Sequence, residues 1–314
     1  MKTTDVALRC NIVTVSTDEL PYEEKTIIDH SSSEISTEDA AVLLEAVRKE
    51  LENDIYKFYV GTSYRHLTIW DKGEVVDLTP PHDVLGQKIG QYLPKDDKLR
   101  EMMKKSYDIL SNHPINVERM KRGLNPANSL WFWGAGTRPM LTSFEEKTGH
   151  KGAMISAVDL LKGIAVGAGM KVIEVEGANG GLDTNYEGKA DAAVDVLLNG
   201  GCDFAYIHLE APDEMGHQGS YERKVKAIEN LDKRIIKRVV EKMEAAGEDF
   251  RMLVLPDHPT PVAIRTHVSD PVPYMLYDST DKKNNTWSYN EKDGEASGNY
   301  IAEGHTIINR LFEK

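Results

Sequence analysis

Short apolar runs alternate with helix-forming stretches over the second half of the chain, and this alternation is the sequence feature that most constrains the fold. The runs FAYIHL (204–209) and RMLVL (251–255) have the length of strands and lack regular polar alternation. Such strands are typical of parallel sheets covered by helices on both faces. Apolar residues spaced three and four apart predict a long amphipathic helix from Tyr221 to Ala246. The expected class is therefore α/β, with a mostly parallel sheet flanked by helices. Further strands are predicted at 152–156 and 171–174, and further helices at 158–168 and 188–198.

The first 125 residues follow a different pattern, in which β-rich runs and helical stretches occur without a repeated order. Pro80 and Pro81 in the segment LTPPHD exclude a helix and a central strand, so this segment is predicted to be a loop. We therefore expect a smaller α+β domain over residues 1–125 and the α/β domain over residues 126–314, the latter beginning with a strand at 130–133. The first domain's predicted strands lie at 6–15, 57–60 and 65–70, and its helices at 37–54, 96–111 and 114–122.

Composition excludes several classes of function. The chain of 314 residues has 51 acidic and 38 basic side chains, a net charge of −13, which argues against a nucleic-acid partner held by a basic face. No apolar run approaches the roughly 18 residues needed to span a membrane, and the polar N-terminus does not resemble a signal peptide. The two cysteines, Cys10 and Cys202, lack CxxC spacing and are expected to be reduced. We expect a cytoplasmic protein with no membrane partner.

Histidines and aspartates cluster directly after the predicted strands of the second half. The segment HLEAPDEMGH (208–217) places Asp213 and His217 four residues apart, so one helical turn can direct both side chains at a single cation. Asp257 and His258 lie between two prolines after the next apolar run, and His267 follows nine residues later. Asp and His together suit Mn²⁺, Zn²⁺ or Fe²⁺ better than Ca²⁺, and paired ions often serve phosphoryl transfer. The alternative for each of these residues, taken singly, is that it is an ordinary surface residue or a helix cap.

Basic side chains near turns are candidates for binding an anionic substrate, because arginine grips phosphate or carboxylate through two parallel hydrogen bonds. A single arginine of this kind is more often a solvated surface charge. Lys151, which precedes a predicted strand, is the weakest of the candidates. The candidate substrate-binding residues are Arg9, Arg65, His66, His82, Asp83, Arg138 and Lys151.

The strings HLEAPDEMGHQG, LPDHPTP and THVSDPVPY resemble the metal-binding half of the archaeal-type cofactor-independent phosphoglycerate mutases, within the alkaline phosphatase superfamily. The resemblance extends to DVALRCN, YRHL, TPPHD and GAMISAVDLLKGIAVGAGM, so it covers almost the whole chain. It implies an alkaline-phosphatase-like α/β domain with a smaller α+β domain inserted into it. It also implies interconversion of 3-phosphoglycerate and 2-phosphoglycerate, a step of glycolysis, without bisphosphoglycerate.

The resemblance further implies two divalent metal ions, Mn²⁺ foremost, with Zn²⁺ and Mg²⁺ as the other candidates. Asp213, His217 and His267 would bind one ion, and Asp257 and His258 the other. Basic residues of the inserted domain would hold a small phosphorylated substrate.

The chain departs from the family pattern at its start. Family members open with a strand that carries an Asp-Gly metal ligand, followed by the nucleophilic serine, whereas here Met1 stands near the start of the inserted domain. The one internal candidate, Asp293-Gly294, lies in the polar segment NEKDGEASGN. We therefore expect the nucleophile to be absent from these residues, which leaves the catalytic residue unassigned. We also expect either self-association or a separate N-terminal segment.

Three other functions stay open from the sequence. Bacterial members of this branch have also been proposed to be homoserine kinases, although the lack of a P-loop motif favours the mutase. The chain could instead be a noncatalytic metal-binding remnant, or a subunit that complements a separate N-terminal piece. A metallophosphatase that uses water in place of serine is the last alternative.

Overall fold

The computed structural model describes residues 1–281 and 286–313, which divide between two compact units, Met1–Pro139 and Met140–Lys314. The sequence pattern places the boundary near residue 125 instead. The difference arises because the strand Ser129–Thr137 pairs antiparallel with the strand Val6–Val15. The strand expected to open the second domain therefore belongs to the sheet of the first unit.

The first unit is built on five strands, β1 (Val6–Val15), β2 (Ile27–Asp29), β3 (Tyr56–Tyr59), β4 (Arg65–Trp70) and β5 (Ser129–Thr137). They form an antiparallel sheet in the order β2-β1-β4-β3, with β5 also paired to β1. Strand β1 lies at its centre, and all of its side chains except those of Ala7 and Arg9 are buried.

The first unit has three α-helices; the first two bury apolar side chains, whereas the buried residues of the third are Asn116 and Arg119. The three helices are α1 (Thr37–Leu51), α2 (Asp97–Leu110) and α3 (Pro114–Lys121), close to the bounds that the sequence predicts. The side chains of Ser36 and Asp96 cap the first turns of α1 and α2 by accepting backbone N–H groups. The LTPPHD segment, predicted to be a loop, contains one short 3₁₀ turn at Pro81–Val84. Other 3₁₀ turns lie at Tyr22–Glu24, Gly90–Tyr92 and Gly304–Thr306.

The second unit contains the parallel sheet expected of an α/β protein. Its strands are β6 (Gly152–Ile155), β7 (Lys171–Val172) and β8 (Phe204–Ile207), in the order β7-β6-β8. The apolar run at 251–255 forms β9 (Arg251–Val254), which pairs antiparallel with β10 (Met275–Asp278) and not with the parallel strands. The unit is therefore α/β with a mixture of parallel and antiparallel pairs.

Helices of the second unit surround these strands. The predicted helix from Tyr221 to Ala246 is continuous but has a π-helical segment at Leu231–Ile236, between α8 (Tyr221–Asn230) and α9 (Lys237–Ala246). No described helix is both long enough and apolar enough to cross a membrane. The other helices of this unit are α4 (Phe144–Thr148), α5 (Asp159–Gly167), α6 (Tyr186–Leu198), α7 (Ala211–His217), α10 (Glu291–Ala296) and α11 (Asn309–Phe312).

Strand β6 is fully buried, but the other described strands of the second unit have no fully buried side chain. Strand β8 forms a ladder only with β6 within residues 1–281 and 286–313, so its outer edge is unpaired. Its side chains are half-buried or exposed, and Tyr206 keeps 41% of its surface accessible. Parallel strands are normally buried on both faces, so this part of the sheet is unusually open.

A turn after β2 is held by the carboxylate of Asp29. This carboxylate accepts the backbone N–H of Ser31 at 2.8 Å, that of Ser33 at 2.6 Å and the Asn125 side-chain amide at 2.9 Å. The turn needs such support because Ser32, Ser33 and Glu34 have positive φ angles of 51°, 55° and 49°. Burial raises the pKa of Asp29, but the Asn125 amide and the serine donors outweigh it and lower the pKa to about 2.

We expect the Asp29→Asn variant to lose about 1 kcal/mol of unfolding free energy at pH 6, after allowance for solvent screening. The folded-state pKa of Asp29, about 2, lies below its ordinary value of 3.8, so its carboxylate stabilises the fold above pH 4. That contribution is lost as the pH falls from 4 towards 2. Urea unfolding followed by tryptophan fluorescence, compared with an Asp249→Asn control at an exposed site, should show the difference shrinking over that range. A difference that persists at pH 2 would contradict this account.

Candidate metal centre

Helix α7 presents the first two predicted metal ligands. It follows β8 after a three-residue connection, and Asp213 and His217 lie one turn apart on the same face. Asp213 Oδ2 lies 3.3 Å from His217 Nε2. Both side chains are about one-third exposed, so an ion could reach them from solvent.

His267 completes a set of three converging side chains. Its Nε2 lies 3.1 Å from His217 Nε2 and 3.3 Å from Asp213 Oδ1. A tetrahedral ion with bonds of about 2.0–2.1 Å holds its ligand atoms about 3.3 Å apart. The three side chains therefore have the spacing that a divalent ion requires.

Hydrogen bonds behind this set fix the ligand atoms. His217 Nδ1 lies 3.0 Å from the carbonyl oxygen of Arg265. A carbonyl can only accept, so Nδ1 must carry the proton and Nε2 keeps its lone pair for a metal. The hydroxyl of Thr260 donates to Asp213 Oδ1. The donor set thus fits a metal in the chemistry of its atoms as well as in their spacing.

Asp257 and His258 form a second pair immediately beside the first set. They follow β9, and His258 Nε2 lies 3.4 Å from Asp257 Oδ2. The His258 ring packs on the His267 ring with centroids 3.7 Å apart. The side chains that the family resemblance assigns to two metal ions thus lie beside one another, on helix α7 after β8 and in the segment after β9.

A glycine allows the two loops to approach each other. The backbone carbonyl of Thr260 contacts helix α7 at Gly216, where an added Cβ would lie only 2.4 Å from the carbonyl oxygen. The same carbonyl accepts the ammonium of Lys224 at 2.6 Å. Gly216 directly precedes the predicted ligand His217 on α7. The contact at Gly216 therefore sets the distance between α7 and Thr260.

In the first unit, several predicted substrate-binding residues share one face of the sheet. Arg9 pairs in register with Leu67, two residues from Arg65, so both arginines project to the same side. The Arg9 guanidinium stacks 4.0 Å from the Trp133 ring, and the His82 ring contacts the same tryptophan at 5.3 Å. Burial, followed by the charge of Arg65, lowers the pKa of Arg9. Two neighbouring cations on an aromatic surface suit an anionic ligand.

Other predicted substrate-binding residues lie elsewhere. His66 is on the opposite face of β4, where it is buried and its Nδ1 accepts the backbone N–H of Gly61 at 3.1 Å. Burial lowers the pKa of His66 to about 4, and its position in the core favours a structural role. Lys151 is exposed before the start of β6, and Arg138 is exposed after β5. The Asp83 carboxylate oxygen Oδ1 lies 3.7 Å from His82 Nε2. Their roles in binding stay predictions.

The sequence prediction missed three residues that the structure places near these clusters. Thr260 donates a hydrogen bond to the predicted ligand Asp213. In the first unit, the His30 ring contacts the rings of Tyr64 and His82. His208 is held behind the metal centre by the Ser156 hydroxyl, 3.2 Å from its Nδ1. Their common signal is a polar residue within three positions of a strand end or a predicted ligand, but this signal also marks many ordinary loops.

Comparisons with known proteins agree with this architecture. Residues 61–303 match the family model of the metalloenzyme superfamily, and residues 1–116 match that of 2,3-bisphosphoglycerate-independent phosphoglycerate mutase. A Methanosarcina barkeri protein of the latter name is 50% identical over 283 residues, covering 88% of this chain and 69% of the relative. A probable enzyme of the same name from Geobacter sulfurreducens is 41% identical over 316 residues, covering 99% of this chain and 77% of the relative.

Two solved structures share the fold. A Pyrococcus horikoshii protein aligns with a TM-score of 0.75 and 25% identity, covering 99% of this chain and 74% of its own. The cofactor-independent phosphoglycerate mutase of Thermoplasma acidophilum aligns with a TM-score of 0.62 and 23% identity, covering 99% of this chain and 77% of its own. The fold is therefore that of an alkaline-phosphatase-like metalloenzyme.

We expect Gly216→Ala to weaken metal binding by about 10-fold or more, because the added methyl group would displace the Thr260 carbonyl and with it the support of Asp213. Gly163→Ala is the matched control, since Gly163 also lies within a helix but an added Cβ meets nothing within 4 Å. Isothermal titration calorimetry with Zn²⁺ measures both variants. Equal affinities for Gly216→Ala and wild type would show that the close approach does not support the centre.

Proposed function

Because the chain belongs to the family of the 2,3-bisphosphoglycerate-independent phosphoglycerate mutases, we propose that it acts in the metal-dependent interconversion of 3-phosphoglycerate and 2-phosphoglycerate. The observation that carries this proposal is the convergence of Asp213, His217 and His267 beside Asp257 and His258. The relatives described above carry the mutase name, which favours this activity over homoserine phosphorylation.

In this proposal the two ligand sets hold two divalent ions. Bound there, such ions neutralise phosphoryl charge and act as Lewis acids. Asp213, His217 and His267 hold one ion, and Asp257 and His258 contribute to holding the other. We propose Mn²⁺ as the natural metal, supported by a donor set that mixes carboxylate oxygens with imidazole nitrogens.

The face of the first unit that carries Arg9, Arg65 and His82 is proposed to bind the carboxylate and phosphate groups of the substrate. Two guanidinium groups supply paired hydrogen-bond donors, and Trp133 orients Arg9 by stacking against it. Asp83 and Arg138 are proposed to assist at the same face. A small anionic substrate fits this surface, and the acidic chain as a whole does not favour nucleic acid.

We also propose that the protein acts in the cytoplasm, without a membrane partner. Both cysteines, Cys10 and Cys202, are free and buried, as expected for thiols in a reducing compartment. The glycolytic intermediates that the proposed reaction uses are found in that compartment.

The open edge of β8 is proposed to pair with a further strand. Unpaired N–H and C=O groups at a sheet edge favour pairing with another chain, and the half-exposed side chains of β8 add apolar surface to that contact. For this chain on its own, the proposed occupant is the same edge of a second copy. A separate segment of the kind that the family resemblance implies would compete for the same edge.

We expect the purified chain to self-associate, and Tyr206→Lys to weaken that association by about 10-fold, because a charge on an edge strand opposes strand pairing. Tyr59→Lys is the matched control, since Tyr59 is an exposed tyrosine on the outer strand β3 of the other unit. Light scattering with analytical ultracentrifugation measures both. A wild-type chain that stays monomeric at micromolar concentration would refute this part of the proposal.

The proposed activity predicts Mn²⁺-dependent formation of 2-phosphoglycerate from 3-phosphoglycerate when the chain is combined with a segment that supplies the nucleophilic serine implied by the family resemblance. An enolase-coupled assay measures this turnover. We expect Asp213→Ala to reduce the rate at least about 100-fold, since it removes a metal ligand, whereas Asp249→Ala at an exposed site should be neutral. Phosphorylation of homoserine by ATP without mutase turnover would instead support the kinase. No mutase turnover by the metal-loaded chain, even with that segment present, would contradict the proposal.

A further inference from the structure

We propose that Thr260 is a positioning residue that couples the two metal-ligand sets, so that an ion in one set prepares the other. This inference rests on the metal-binding role in the proposed function, but not on the identity of the substrate. Thr260 is 3% exposed, and its hydroxyl oxygen contacts both Asp213 Oδ1 and His258 Nδ1. These two partners belong to different ligand sets.

The direction of each hydrogen bond follows from the number of protons available. Asp213 can only accept as an ionised carboxylate, so the single hydroxyl proton of Thr260 is given to Oδ1. The second contact, 3.3 Å from Thr260 Oγ1 to His258 Nδ1, then needs a proton from the imidazole. His258 therefore carries its proton on Nδ1, and a chain of donors runs from His258 through Thr260 to Asp213.

This chain of hydrogen bonds selects the ligand atoms in the second set. With its proton on Nδ1, His258 keeps the lone pair of Nε2, the atom that lies 3.4 Å from Asp257 Oδ2. The opposite tautomer would turn a proton towards the second ion and would bind no metal there. The hydroxyl group of Thr260 thus links the Asp213 carboxylate of the first set to the His258 ring of the second set.

Thr260 is itself fixed on the side of the first set. Its carbonyl oxygen lies against Gly216 of α7 and accepts the ammonium of Lys224. Helix α7 also carries Asp213 and His217, so an ion that orders these ligands orders the backbone of Thr260 as well. The hydroxyl then has one position from which it can hold His258.

A purely space-filling role for Thr260 makes a different prediction. Valine has nearly the same shape as threonine but cannot form either hydrogen bond, whereas serine keeps the hydroxyl and loses a methyl group. A packing role would tolerate Thr260→Val and suffer from Thr260→Ser, and coupling would do the reverse. Thr184→Val is the matched control, since Thr184 is also buried in the second unit and uses its hydroxyl in a loop.

The test uses Zn²⁺ as the probe, because it is diamagnetic and allows NMR of the histidine ring nitrogens. Calorimetry gives the affinity for the first ion, and ¹⁵N spectra at one equivalent give the tautomer of His258. We expect Thr260→Val to weaken binding of the first ion by about 10-fold or more and to leave the His258 ring as a mixture of both tautomers. Thr260→Ser and Thr184→Val should bind within about 2-fold of wild type and keep the Nδ1–H tautomer.

Wild-type affinity in Thr260→Val would overturn the inference, as would an Nδ1–H tautomer of His258 that persists in that variant. Equal losses in Thr260→Val and Thr260→Ser would also overturn it, because they would indicate packing. A chain that binds Zn²⁺ as expected but has no mutase turnover would leave this coupling intact and contradict the proposed function alone. Circular dichroism of each variant confirms that the comparison is made on folded protein.

Discussion

The contact between helix α7 and the loop after β9 is the constraint on which the candidate site depends. Asp213 and His217 come from the helix, and His267 comes from a position 50 residues later than His217, yet their ligand atoms meet within 3.3 Å. Two imidazole nitrogens and a carboxylate oxygen at this spacing repel one another unless a cation or a proton lies between them. The glycine at position 216 permits the approach, and the hydrogen bond from His217 Nδ1 to the Arg265 carbonyl directs Nε2 at the other two ligand atoms.

The parts of the site that depend on neighbouring residues could be predicted from the sequence. The four-residue spacing of Asp213 and His217 becomes a shared helix face, and the apolar runs before His208 and Asp257 become β8 and β9. The joining of His267 to the others depended on the family resemblance, because no local pattern brings a distant loop to a helix. Thr260 was missed for the same reason, since its role exists only once that loop lies against α7.

Two differences between sequence and structure have clear physical causes. Position along the chain suggests that the strand at 130–133 opens the second domain, but its pairing partner is β1, more than 110 residues earlier. Such long-range pairing leaves no periodic signal. His66 was grouped with Arg65 because they are adjacent, although neighbouring residues of a strand point to opposite faces. The alternation of β4, with Arg65 exposed and His66 buried, separates a surface cation from a core imidazole.

Helix α7, which carries two of the three converging ligands, is contacted at both ends. At its start, the buried ammonium of Lys189 donates to the carbonyl of His208 at 3.1 Å. The carboxylate of Glu210, which precedes the helix, lies so close to Gly180 that an added Cβ there would be 2.8 Å from it. Burying these charges costs free energy, as the raised pKa of Glu210 and the lowered pKa of Lys189 indicate, both mainly through burial. A polar cluster that only closed the fold would be better replaced by apolar packing. The cluster lies at the start of the helix that carries Asp213 and His217, and the Thr260 carbonyl contacts the same helix near its other end at Gly216, so this helix is contacted at both ends.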